Sequence, residues 1–199
     1  MKIVVVGLGY VGLSNAVLLA QHNEVVGIDI SQTRVDAVNM RKSPIIDDKL
    51  SQYLAEKDLN LTANTDISSS VSNVDYVIVS TPSNYDERTS FFDTSSVESV
   101  IAEVIKTAPQ ACIVVKSTIP VGFIDNIRER LNTDSVIFSP EFLREGHALL
   151  DNLYPSRIIV GEKSKRAEEF AGLLEQGALK KNIDKLFVGT REAEAIKLF

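Results

Sequence analysis

Apolar residues in this chain gather in short unbroken runs, "IVVV" at 3–6, "YVIV" at 76–79 and "CIVV" at 112–115, separated by longer amphipathic stretches. A strand with one wet face alternates apolar and polar residues. An unbroken run is apolar on both faces and belongs in a parallel sheet covered by helices. The runs predict strands at Lys2–Val6, Glu24–Asp29, Leu59–Ala63, Tyr76–Ser80, Cys112–Lys116, Val136–Ser139, Arg157–Val160 and Lys185–Val188. Helical spacing predicts helices over residues 10–22, 31–40, 47–56, 94–107, 122–131 and 164–176. The alternation implies an α/β fold, a doubly wound and mainly parallel sheet with helices on both faces. No repeat or low-complexity tract interrupts it; the looser stretches are Lys42–Asp47 and Pro82–Asp93.

Composition narrows the functional classes. The net charge of −6 and the lack of any Lys/Arg run argue against a nucleic-acid surface. A single cysteine, Cys112, excludes an internal disulfide framework and suits a reducing compartment. The first apolar run is only four residues long before Gly7, too short for a secretory leader or a membrane span. A cytoplasmic protein without membrane attachment is expected.

The chemistry starts at "GLGYVG", residues 7–12. That spacing alone is a weak signal, but here it follows a predicted strand, opens an apolar-periodic helix and precedes a second strand ending in Asp29. Each part has a task in binding a dinucleotide. The first glycine permits the tight turn, the second admits a pyrophosphate to the backbone, and the third lets helix and strand pack closely. The helix N-terminus offers unpaired N–H groups to the diphosphate. Asp29 would accept from the adenosine ribose hydroxyls and repel a 2′-phosphate, which favours NAD over NADP. Arg34 either covers that ribose or adenine or is a solvated helix charge.

Other constellations are weaker. Tyr53 and Lys57 show a YxxxK spacing, but they lie early in the chain on an amphipathic helix. His22 suits the dipole at the end of the first helix. His147 has no metal-ligand partner at usable spacing, and no metal site is expected. Cys112 opens an apolar run and reads as a small buried hydrophobe rather than a nucleophile. Segments following predicted strands are the places where open α/β sheets bind ligands. They include "STP" at 80–82, "KSTIP" at 116–120 and "SPEFLREG" at 139–146. The last presents Glu141 and Glu145 with Arg144 between them, either an exposed salt-bridged helical turn or a carboxylate pair beside a bound nicotinamide.

Seven motifs, GLGYVGL (7–13), STPSNYD (80–86), FDTSSVE (92–98), KSTIPVG (116–122), SPEFLREG (139–146), NLYPSRIIVGE (152–162) and EAEAIKLF (192–199), run the length of the chain. On them the chain resembles the N-terminal part of the UDP-glucose 6-dehydrogenases, of the UDP-glucose/GDP-mannose dehydrogenase family. The resemblance implies oxidation of UDP-glucose to UDP-glucuronate with two NAD⁺. It also implies an N-terminal Rossmann-like NAD-binding domain (residues 1–190), a connecting helix starting at 191–199, a C-terminal UDP-binding domain beyond, and a homodimer. By the same resemblance Gly7, Gly9, Tyr10, Val11, Gly12 and Asp29 hold NAD. Arg34, Thr81, Pro82, Ser83, Ser117 and Thr118 line its site. Thr118 also positions a catalytic water, Glu141 is a general acid/base in thioester hydrolysis, and Glu145 contacts cofactor and substrate. Phe142, Leu143 and Arg144 lie along the substrate, and Lys197 stabilises a developing oxyanion.

One departure is large. The family's second oxidation uses a cysteine in a glycine-rich C-terminal motif that this chain lacks, and Cys112 does not match it. The expectation is therefore an N-terminal fragment that cannot complete catalysis alone. A stand-alone NAD-binding regulatory module and a GDP-mannose dehydrogenase are the alternatives.

Overall fold

The structure, a computed structural model, describes residues 1–86 and 91–198. Residues 87–90 of the looser stretch Pro82–Asp93, and Phe199 of the last motif, lie outside them. In chain order the elements are β1 (Lys2–Val6), α1 (Tyr10–Ala20), β2 (Glu24–Ile28), α2 (Gln32–Asn39), α3 (Asp48–Glu56), β3 (Leu61–Asn64), α4 (Ile67–Ser70) and β4 (Tyr76–Val79). There follow β5 (Asn84–Asp86), β6 (Phe91–Asp93), α5 (Ser95–Thr107), β7 (Cys112–Val115), α6 (Phe123–Arg130) and β8 (Val136–Phe138). The last are α7 (Ala148–Leu153), β9 (Arg157–Val160), α8 (Lys165–Gly177), β10 (Asp184–Phe187) and α9 (Thr190–Leu198).

Six strands form one parallel sheet in the order β3-β2-β1-β4-β7-β8. The unbroken apolar runs have the cause expected. Along β1, Ile3 and Val5 enter one core cluster with Leu13, Val17, Leu50, Leu149 and Phe170, from α1, α3, α7 and α8. Val4 and Val6 enter the other, with Val97, Ile101, Ile124 and Ala193 from α5, α6 and α9. Successive side chains point to opposite faces, so a strand covered on both sides must be apolar at every position. A parallel pair, β9 and β10, adjoins the sheet through Gly161 N–H donating to Phe138 O (2.8 Å) and Ser139 Oγ donating to Ile159 O (2.8 Å). Among the described residues no helix is long and apolar enough to cross a membrane.

Several expectations need correction. Asp29 lies just past β2, Leu59 is buried but precedes β3, and α1 ends at Ala20, leaving His22 in the exposed turn after it. The short helices α4 and α7 and the antiparallel β5–β6 hairpin were not expected. The YxxxK pair serves packing: Tyr53 is buried on α3, with Lys57 Nζ 5.4 Å from its ring centroid.

Candidate cofactor and substrate site

The three glycines differ in what surrounds them. Gly7 adopts φ +93°, and a Cβ there would lie 2.6 Å from Ser80 O, so the turn admits glycine alone. At Gly12 a Cβ would meet Gly7 O at 1.7 Å, because α1 is pressed against the end of β1. Gly9, between them, is open: a Cβ there meets nothing within 4 Å. It is also the N-cap of α1, no side chain caps that helix end, and no acidic residue occupies the first turn. The space over Gly9 and the uncapped N–H groups of Tyr10 and Val11 fit a diphosphate.

Asp29, 6% exposed, is more heavily used than its spacing suggested. Its Oδ2 accepts from Leu8 N–H (2.8 Å) and from Arg34 Nη1 (3.3 Å), while Oδ1 accepts from Ser31 N–H (2.9 Å). The carboxylate thus braces the glycine loop and still has one Oδ1 lone pair for a ribose hydroxyl. Of the two readings of Arg34, the bond to Asp29 places it over that carboxylate, with its side chain 44% exposed.

Beyond β4 and β7 the chain forms the adjoining wall. Ser117 Oγ donates to Thr81 O (2.6 Å), and Ser96 Oγ bonds Thr81 Oγ1 (3.1 Å) and donates to Pro82 O (2.6 Å). These bonds fix Thr81, Pro82 and Ser117 beside Ser80, the residue that crowds Gly7. Ser83 and Thr118 are half-buried on the same two segments.

The segment after β8 is not the salt-bridged helical turn that was one reading of it. Glu141 to Arg144 are irregular, and their charges pair elsewhere. Lys197 Nζ, from α9, donates to Glu141 O (2.8 Å) and pairs with Glu141 Oε1 (3.0 Å). Phe142 turns its ring to Lys197 and Arg157, 5.9 and 5.4 Å from the centroid. Arg144 clamps Asp151 through Nη2 (2.7 Å) and Nε (3.1 Å), which holds the Asp151 carboxyl below its usual range. Glu141, Phe142, Leu143 and Arg144 border a cavity of about 270 Å³; exposed Glu145 does not line it.

Two residues in this region were missed by sequence reasoning. Lys116, 3% exposed, lines the cavity, and burial pushes its ammonium down to about 8 despite the nearby Glu141. The available signal was a lysine closing the apolar run "CIVVK". Glu194, 0% exposed on α9, accepts from Gly122 N–H (2.6 Å) and Ile124 N–H (2.9 Å) at the start of α6. It joins the helix of Lys197 to the loop of Thr118. Its only sequence signal was its place three residues before Lys197 in "EAEAIK".

Comparison with known proteins gives the family. The model of the UDP-glucose/GDP-mannose dehydrogenase family, NAD binding domain, matches residues 1–176. All of the chain aligns with UDP-glucose 6-dehydrogenases of Streptococcus pneumoniae, at 52% identity over 52% of that protein, and Campylobacter jejuni, at 41% over 51%. The chain spans about half the length of these relatives. A solved GDP-mannose dehydrogenase from Pseudomonas aeruginosa superposes on the whole chain with a TM-score of 0.86 at 28% identity, over 48% of its own length. This chain therefore belongs to the UDP-glucose/GDP-mannose dehydrogenase family and carries its NAD-binding domain.

Proposed function

We propose that this chain, together with the second half that its relatives carry, oxidises the C6 hydroxyl of UDP-glucose to a carboxylate with two NAD⁺. In this reading residues 1–190 bind the cofactor and 191–199 open the connecting helix. The other half supplies a cysteine thioester and the main UDP contacts, and the assembled protein is a homodimer. Identity of 52% and 41% to two UDP-glucose 6-dehydrogenases, against 31% to the Pseudomonas aeruginosa GDP-mannose 6-dehydrogenase, supports this substrate.

The single observation that carries the reading is the Lys197–Glu141 pair at the cavity edge. Bound NAD⁺ would accept hydride; the residues have the other tasks. Gly7, Gly9, Tyr10, Val11 and Gly12 take the diphosphate, Asp29 and Arg34 the ribose. Thr81, Pro82, Ser83, Ser117 and Thr118 line the cofactor, with Glu145 as a further contact. Lys197 Nζ uses two of its three donors on Glu141, leaving one for an oxygen that gains negative charge. Glu141 Oε2 is buried without a partner among the described residues, which frees it to take a proton from a water that Thr118 positions.

Calorimetry tests the reading. NADH is expected to bind this chain at least tenfold more tightly than NADPH. In the protein carrying both halves, UDP-glucose is expected to yield two NADH per sugar. Equal affinity for the two cofactors, or a preference for GDP-mannose, would overturn it.

A further inference from the structure

Lys116 is the buried charge to which the reading above gives no task. It follows β7, is 3% exposed and borders the same cavity as Glu141. Among the described residues its one hydrogen bond is long, from Nζ to Ser139 O at 3.4 Å, although an ammonium has three donors. Glu141 Oε2, on the same cavity, is a buried acceptor with no partner among the described residues. Buried polar groups in folded proteins are nearly always satisfied, by protein, water or ligand. Here an ammonium with donors to spare and a carboxylate oxygen that no described residue satisfies border one polar space.

We propose that Lys116 Nζ and Glu141 Oε2 together form a hydroxyl-binding site, in which Lys116 donates to the hydroxyl oxygen and Glu141 accepts its proton. The pairing selects the group. A carboxylate or phosphate oxygen would be repelled by Glu141, an ammonium by Lys116, and a carbonyl would leave Glu141 unsatisfied. A hydroxyl accepts and donates at once, and satisfies both. It has two sources: a sugar hydroxyl of the nucleotide sugar, which rests on the substrate assignment above, or a water retained beside the reacting carbon.

The charged groups facing the Lys116 ammonium are Glu141, from the segment after β8, which favours its charge, and Lys197, from α9, which opposes it. Arg144, Asp151 and Arg157 complete the charged lining of the cavity. With the ammonium pushed down to about 8, the grip should be strongest below that pH and relax above it.

The test compares Lys116→Gln and Lys116→Arg with the unmutated sequence, all in the protein carrying both halves, by calorimetry with UDP-glucose, its singly deoxygenated sugar analogues and NADH. If the site holds a sugar hydroxyl, Lys116→Gln weakens UDP-glucose about 10- to 100-fold. It then leaves the one analogue lacking that hydroxyl unaffected, keeps NADH affinity, and abolishes the loss of UDP-glucose affinity above pH 8. If it holds water, all the sugars weaken alike, and a ligand-free crystal structure shows an ordered oxygen about 3 Å from both atoms. Unchanged sugar affinity overturns the site, as does an equal loss of NADH and sugar affinity, or a crystal structure with Lys116 paired directly to Glu141. If the unmutated protein binds no UDP-glucose, the substrate assignment fails while the crystallographic result still decides the hydroxyl site.

Discussion

In the proposed reading Asp29 holds the cofactor's ribose as well as bracing the glycine loop, and a substitution there should separate the two roles. Asp29→Ala removes the acceptor for the ribose and the repulsion toward a 2′-phosphate, so NADH binding weakens and its margin over NADPH narrows in fluorescence titration. It also strands the Leu8 and Ser31 N–H groups, at a cost of about 1–3 kcal/mol each where buried. Denaturant unfolding should show that loss without any cofactor present. Glu141 and Lys197 differ in another way, and the protein carrying both halves distinguishes them. Lys197→Ala should slow hydride transfer and hydrolysis together, by roughly 10²–10³, because negative charge develops on oxygen in each. Glu141→Gln should spare the first oxidation and stall hydrolysis, so that mass spectrometry finds a covalent adduct of substrate mass. Loss of the first NADH burst without an adduct would assign Glu141 to binding instead.

Helix ends account for much of what holds these elements in place. Glu194 caps α6 from within α9, and its burial pushes its carboxyl above the usual range even though two backbone N–H groups hold the charge. Glu194→Gln turns one acceptor into a donor facing an N–H, and should cost about 1–3 kcal/mol in denaturant unfolding. Glu162 shows the opposite balance. Burial would raise its carboxyl, but hydrogen bonds from Arg166 and Ser164, with the charges of Arg166 and Arg128, lower it below 4.5. The folded carboxyl is thus the stronger acid, so it contributes stability above pH 4.5 that is lost as pH falls through its lowered value. Glu162→Gln should be less stable at neutral pH and flatten the acid limb of a stability–pH profile.

The same caps explain what could be read from sequence. Strand positions and the glycine loop were legible because burial on both faces and phosphate approach act on adjacent residues. Helix α7 was not: its first turn is held by Asp47, whose Oδ2 accepts from Leu149 N–H (3.3 Å) while Oδ1 caps α3 through Leu50 N–H (3.0 Å). Nothing near "ALLDNL" announces a partner a hundred positions away. Lys116 was illegible for a related reason. A lysine at a strand end ordinarily reaches water, and only the meeting of β7, the segment after β8 and α9 denies it that.

At the scale of the molecule, one fold-level feature bears on how the protein comes to exist. In the sheet order β3-β2-β1-β4-β7-β8, the first strand made lies inside and the last at an edge. As the chain leaves the ribosome, β2 finds β1 already present, β3 finds β2, β4 finds the free side of β1, β7 finds β4 and β8 finds β7. Every strand of the sheet after β1 therefore emerges with one neighbour already made, although parallel pairing through long crossovers is slow. The β4-facing edge of β1 waits longest, until β2 and β3 have both been made, and is the interior edge most open to aggregation during synthesis.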